Sequence, residues 1–450
     1  MPGVVVVGGG IAGLTAAHLL ADEHDVLVLE ASPAVGGKLR LAEVGGVAVD
    51  VGAESVLARR PEAVDLVSSL GLPVVHPSST SSSLWTRGEL RPLPRSLMGL
   101  PLDLDGLARS GVLSDAALDV VRREPDLPPL DLSRDRSVAD VVAERFGQEV
   151  VDRLVEPLLG GVYAGHAGNL SAHATTPQLL ALAREGSLLE AAARLPVSDA
   201  PVFGGVPGGL GRLPVALAGS GRFEVRTGAT VRGLARTETG FALTVGSTRD
   251  AEVVTADRVV LACPATPAAR LLAEVAPAAA IELAEVESAS MAIVTHAFRA
   301  EDLGDLATTA SSGFLVPPVD GRAIKAATYS FAKWAWVREA GAAAGGVLLL
   351  RTSVGRHREE SALQHPDEVL VASSLAELAA ATGVAARPVD SHVQRWGGAL
   401  PQYALGHVDR VARIRSAVAR VPGLSVCGAA YDGVGIPAVV ASARRATMEP

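Results

Sequence analysis

Val4-Val5-Val6-Val7 is an unbroken run of β-branched apolar residues, the pattern of a strand sealed on both faces of a parallel sheet. Gly8-Gly9-Gly10-Ile11-Ala12-Gly13 follows, then a helical stretch from Leu14 to Ala21. A second apolar strand, Val26 to Leu29, is closed by Glu30. The pattern predicts strand, glycine turn, helix, strand and acid. Gly8 permits the tight turn, Gly10 lets a pyrophosphate approach the backbone, and Gly13 lets the helix pack on the strand. The helix start offers unpaired N–H groups and a positive dipole end to phosphates. Glu30 stands where an acid accepts hydrogen bonds from a ribose 2′-hydroxyl, which disfavours NADP as the primary ligand. In its βαβ context the motif predicts a dinucleotide site.

Further along, the periodicity changes repeatedly. Ala31 to Arg40 reads as a loop in which Gly36-Gly37 lets a neighbour pass close, with Lys38 and Arg40 beside the expected pyrophosphate. A plain solvated loop fits those residues equally. Val47 to Val51 predicts a strand, and Gly52-Ala53-Glu54-Ser55 is expected to open a helix carrying Arg59 and Arg60. Leu84 to Leu90 predicts a hairpin turning at Gly88. Leu100 to Ser137 reads as short amphipathic helices, Val138 to Phe146 and Val150 to Leu159 as helices, and Gly160 to Gly165 as a break. A glycine hinge at 203–211 leads to strands at 225–227, 231–234, 241–245 and 258–262, read as a meander. Met291 to Phe298 and Gly346 to Leu350 predict strands, and Pro366 to Thr382 a helix. Leu424 to Cys427 is a strand entering a third glycine-rich turn, Gly428 to Pro437, with a helix from Ala438.

The 450 residues suffice for two or three domains with sizeable cores. A net charge of −9 argues against nucleic acid as a partner. Arg outnumbers Lys 37 to 3, which with the Ala, Gly and Val content suggests a GC-rich bacterial source. Cys263 and Cys427 sit in apolar runs and read as buried small hydrophobes. No Cys/His cluster has metal spacing, so no metal is expected. The N-terminus lacks a basic leader segment, and a cytoplasmic protein is expected.

Glycine-lined turns from strand to helix near residues 8–13, 52–55 and 428–437 draw candidate cofactor contacts from both ends of the chain. An extended FAD would use such separated contacts. The chain resembles the porphyrinogen-oxidising flavoenzymes, protoporphyrinogen oxidase and the Gram-positive coproporphyrinogen III oxidase type. The resemblance is nearly end to end. It rests on Val49 to Ser55, on Val155-Glu156-Pro157-Leu158 through Gly165 with Leu170-Ser171, on Arg395-Trp396 with Leu400 to Tyr403, and on Tyr431-Asp432-Gly433-Val434-Gly435-Ile436-Pro437.

The resemblance implies a fold like that of p-hydroxybenzoate hydroxylase and the amine oxidases. A segmented Rossmann-like FAD-binding domain (1–75, 204–270, 385–450) would carry a mixed-sheet substrate domain (76–100, 271–384) and a helical insertion (101–203). It implies that Gly8 to Gly13, Glu30, Ala31, Gly37, Lys38, Arg40 and Gly52 to Ser55 hold the nucleotide half of FAD. Val231 would meet the adenine through its backbone. Trp396, Gly428, Asp432, Val434, Gly435 and Ile436 would border the flavin, and Gly161, Val162 and Tyr163 would line the porphyrinogen cavity. The implied reaction removes six electrons in three rounds, passes them to O2 and releases H2O2, with no catalytic side chain. Hand-over of product to a ferrochelatase and a weak peripheral membrane contact through the Leu/Pro-rich 90–135 stretch also belong to that picture. Cationic anchors suit a propionate-bearing macrocycle. Arg59, Arg60, Arg95, Lys333 and Arg338 are the candidates, with a solvated surface role as the alternative for each.

Eukaryotic relatives tend to carry a basic residue where this chain has Ser81-Ser82-Ser83, which tilts the reading from protoporphyrinogen IX to coproporphyrinogen III. Two rivals remain. A flavin amine oxidase would usually show an F-A-G-x-E turn where Ala429-Ala430-Tyr431-Asp432 stands. A carrier that had lost its flavin is opposed by the intact glycine turn and Glu30.

Overall fold

The computed structural model describes residues 3–196 and 200–448; residues 197–199, within the expected helical insertion, lie outside them. Strand β1 (Val4–Val7) lies at the centre of a five-stranded sheet. It pairs in parallel with β2 (Val26–Leu29) on one side and with Arg258–Leu261 on the other. Glu224–Arg226 and Leu424–Val426 complete the edges, both also parallel. The alternation of side chains along β1 feeds two cores. Val4 and Val6 pack into one with helix α1 (Ile11–Leu20) and the closing helix Ile436–Met448. Val5 and Val7 pack into the other beneath a small antiparallel sheet, residues 231–256. A strand buried on both faces needs apolar residues at every position, which is why the run is continuous.

The expected meander is therefore divided. Glu224–Arg226 and Arg258–Leu261 belong to the parallel sheet, whereas Val231–Arg236, Phe241–Gly246 and Ala251–Ala256 form a sheet of their own. A seven-stranded mixed sheet runs in the order 390–401, 288–299, 347–354, 324–328, 313–315, 83–86 and 89–92. Its outer hairpin turns at Arg87-Gly88, both with positive φ, as a two-residue hairpin turn requires. Asp390–Pro401 pairs along Ser288–Ala297, so Trp396 is carried by this sheet rather than by the parallel one.

The third unit is helical and has its own core, in which Phe146, Leu154, Leu159 and Tyr163 are buried. Two local expectations change. Gly52 to Ser55 does not open a helix; a short strand, Val56–Leu57, follows, and the helix starts at Pro61 with Arg60 at its cap. Gly160 and Gly161 do not break their helix, which runs Glu156–Tyr163 and stops at Ala164 in the left-handed conformation. Each interior glycine costs a helix about 1 kcal/mol relative to alanine without ending it, and a Cβ on Gly160 would stand 3.3 Å from Arg356 Nη1. No helix among the described residues is long and apolar enough to cross a membrane.

Candidate active site

The opening turn is built by close backbone approach. A Cβ on Gly13 would stand 1.9 Å from the Gly8 carbonyl oxygen, so α1 rests against the turn as only glycine allows. Gly10 caps α1 in extended backbone with no side-chain hydrogen bond, and a Cβ there would meet nothing within 4 Å. The first N–H groups of a helix lack internal acceptors, so this end is an open cradle for an anion. Ile11 and Ala12 begin the helix above it. Glu30 closes the turn: its carboxylate accepts the Gly9 N–H at 2.6 Å and the Ser32 N–H at 2.7 Å. Ala31 is exposed beside it. The Glu30 carbonyl receives the Ala229 N–H at 2.8 Å, two residues before Val231 opens its strand.

A second loop lies on the first. The Gly36 N–H donates to the Gly9 carbonyl at 2.8 Å, and a Cβ on Gly37 would reach the Gly10 Cα at 3.4 Å. The third follows: Ala53 N–H donates to the Lys38 carbonyl at 3.2 Å, and Gly52 is wedged between that carbonyl and the Trp396 ring. Trp396 Nε1 donates to the Val51 carbonyl at 3.1 Å, and the Arg40 guanidinium lies 5.6 Å from the ring centre. Burial pushes the Lys38 ammonium down from its ordinary value. Lys38, Arg40, Gly52, Ala53 and Trp396, expected from distant stretches, are thus neighbours.

Glu54 turns inward, away from any solvent-facing role. Its carboxylate takes a bond from Lys333 Nζ at 2.6 Å and lies 3.3 Å from the Arg351 guanidinium. Burial raises the Glu54 pKa, but Arg351 and Lys333 outweigh it and hold the carboxyl below its usual range. Lys333 also donates to Ser55 Oγ at 2.9 Å. The structure commits Lys333, one of the candidate propionate anchors, to this triad. Nothing in the sequence Leu350-Arg351-Thr352 marks Arg351 for this role.

The closing turn meets the opening one. A Cβ on Gly428 would be 3.8 Å from Ala12 Cβ, and the Gly428 N–H donates to Ser442 Oγ at 3.2 Å. The helix that begins at Ile436 lies along α1. Gly435 supplies the carbonyl that accepts the Val439 N–H, and Val434 packs on the helical unit's core. Asp432 is held by Arg415 and Arg445, and its pKa stays low because those charges and hydrogen bonds overcome burial. The Tyr403 hydroxyl donates to the Ala429 carbonyl, and its ring lies 5.6 Å from that of Tyr163. Tyr163 is buried; Gly161 and Val162, immediately before it, are exposed. The flavin-side and substrate-side candidates therefore adjoin. Arg59 and Arg60 are exposed, and Arg60 pairs with Glu62, so the structure does not gather them with the others. Cys263 and Cys427 are not joined by a disulfide, and burial pushes the Cys263 thiol up to about 12. No cluster among the described residues has the make-up of a metal site.

Glycine corners from both ends of the chain meet at one place, the arrangement of a protein organised around an extended dinucleotide. The chain belongs to the flavin containing amine oxidoreductase family, whose model matches residues 11–449. It is a flavin-dependent oxidoreductase, and its cofactor is FAD; the open Gly10 cradle fits a pyrophosphate. Over 98% of this chain and 95% of the relative, it is 37% identical to coproporphyrinogen III oxidase of Mycobacterium tuberculosis. The coproporphyrinogen III oxidase of Bacillus subtilis is 30% identical over 99% and 97%. The crystal structure of a protein from Exiguobacterium sp. 255-15 superposes with a TM-score of 0.87 at 30% identity, covering 99% of this chain and 97% of that one.

Proposed function

We propose that this protein oxidises coproporphyrinogen III to coproporphyrin III with O2. Three O2 are reduced to three H2O2 as six electrons and six protons leave the macrocycle. The reading is carried by the likeness, over almost the whole of both chains, to relatives named coproporphyrinogen III oxidase. Bound FAD supplies the acceptor for hydride from a meso carbon. The chain's own residues bind and orient. In this reading Gly8 to Gly13 and Lys38 take the pyrophosphate, Glu30 the ribose and the Val231 backbone the adenine. Trp396 and Val434 to Ile436 flank the ring, while the Gly161–Tyr163 stretch walls the substrate. Positioning then performs the work that a nucleophile would perform elsewhere. The segmented domain division, a cytoplasmic location with at most peripheral membrane contact, and delivery of product to a ferrochelatase complete the proposal.

The test is to give purified holoenzyme coproporphyrinogen III and protoporphyrinogen IX in parallel under air and to follow porphyrin fluorescence and H2O2. Faster porphyrin formation from coproporphyrinogen III is expected. Preference for the dicarboxylate overturns the substrate assignment, and turnover of primary amines without porphyrin formation overturns the reaction.

A further inference from the structure

Two cations lie inside the protein where the helix Glu156–Tyr163 meets the mixed sheet. Lys325 is 4% exposed and Arg356 6%. Both are tied to one residue: the Val316 N–H donates to the Lys325 carbonyl at 2.8 Å, and Arg356 Nη2 donates to the Val316 carbonyl at 3.1 Å. Gly160 leaves room for the guanidinium, since a Cβ there would be 3.3 Å from Arg356 Nη1. That Nη1 is buried and has no hydrogen-bond partner among the described residues. Glu156 and Glu359, the carboxylates that act on Arg356, are turned to His166. On Lys325 the neighbouring charge is Arg356's own, of the same sign, and burial with that repulsion pushes the ammonium down to about 7.

Buried like charges with an unspent donor are costly, and a fold keeps them when something repays the cost. A carboxylate entering between them would gain two charge-assisted hydrogen bonds in a low-dielectric setting. We propose that Lys325 and Arg356 together anchor one propionate carboxylate of the substrate at the seam between the 156–163 helix and the mixed sheet. This deepens the function proposed above and rests on it for the identity of the carboxylate. Gly160, against which Arg356 lies, immediately precedes Gly161 and Val162, both of them exposed at the end of the same helix. Three lysines occur in the chain, and Lys325 interrupts the apolar run Ala323-Ile324-Lys325-Ala326-Ala327. That interruption is the signal in the sequence.

The test compares flavin-loaded wild type, Lys325→Met, Arg356→Gln and Arg356→Lys. Coproporphyrin III and its tetramethyl ester serve as probes, with Kd read from porphyrin fluorescence quenching and kcat and KM from turnover. Loss of one charge-assisted contact is expected to raise Kd and KM for the tetra-acid roughly 10- to 100-fold. Turnover number and flavin content should stay near the wild type, and Arg356→Lys should recover part of the affinity. Affinity for the ester should be the same in all forms. Lys325→Met removes a buried unpaired charge, so its Tm is expected to match or exceed the wild type's, and it carries the test if Arg356→Gln fails to fold. Unchanged tetra-acid affinity in folded Lys325→Met overturns the anchor, as does equal loss of acid and ester. A wild type that turns over no porphyrinogen, yet whose coproporphyrin binding is weakened by these variants, overturns the reaction and upholds the anchor.

Discussion

Gly10→Ala separates the needs of the fold from those of the cofactor. Gly10 has φ −76° and ψ 179°, a conformation alanine adopts freely, and its Cβ direction is open for 4 Å. The fold should therefore hardly register the change. Alanine gains about 0.4–1 kcal/mol through the unfolded chain and loses a comparable few tenths to 1 kcal/mol as a poorer helix cap. The added methyl does fill the space through which a pyrophosphate would reach the α1 N–H groups. Losing one hydrogen bond to a charged group costs roughly 1.5–3 kcal/mol, about 10- to 150-fold in Kd. The assay is FAD titration of apoprotein by flavin fluorescence quenching, beside the flavin-to-protein absorbance ratio and a thermal melt. Gly13→Ala is the contrasting variant. Its methyl starts 1.9 Å from the Gly8 oxygen and must retreat by about 1.5 Å to ordinary contact, so that variant should lose stability and flavin together. A Gly10→Ala protein that keeps wild-type FAD affinity refutes the cradle, and one that loses flavin only in proportion to its stability refutes the separation.

Removing the Glu54 carboxylate with Glu54→Ala leaves Lys333 and Arg351 facing each other in a largely buried site. About 3–5 kcal/mol of stability should be lost in urea unfolding, and a loss below about 1 kcal/mol contradicts the triad. Acid should destabilise the fold through His296 and His407, whose burial pushes both down to about 4. The unfolded chain binds their protons from about pH 6.5 downward while the folded one does not, so stability is full above 6.5 and is lost as pH falls towards 4. The loss is on the order of 1–2 kcal/mol each by pH 5. His296, bonded at 2.8 Å to both Ser374 and Ser391, can be replaced by Asn, and the melt of His296→Asn should depend less on pH between 7 and 5. An equal dependence contradicts the assignment.

The opening βαβ unit was legible because its determinants are local. Four apolar residues, a glycine spacing and an acid all fall within the first thirty positions, and each requirement is met by a near neighbour in the chain. The hairpin at Gly88 and the helix Asp367–Thr382 were readable for the same reason. Gly52 to Ser55 misled because a glycine before a polar pair looks like a helix start. Gly52 is there because Lys38 and Trp396 crowd it, and neither is near in sequence. The division of the 225–262 strands between two sheets also escaped local patterning, since both kinds of strand carry similar residues. From the sequence alone came the nucleotide turn, the expectation of an elongated flavin and the family. Only the tertiary structure brought Gly428 to Ala12, spent Glu54 on Lys333 and Arg351, and left Arg356 Nη1 buried without a hydrogen-bond partner among the described residues. Charge pairing and wall contacts join side chains hundreds of residues apart, so they follow from the order in which strands assemble, which no local pattern encodes.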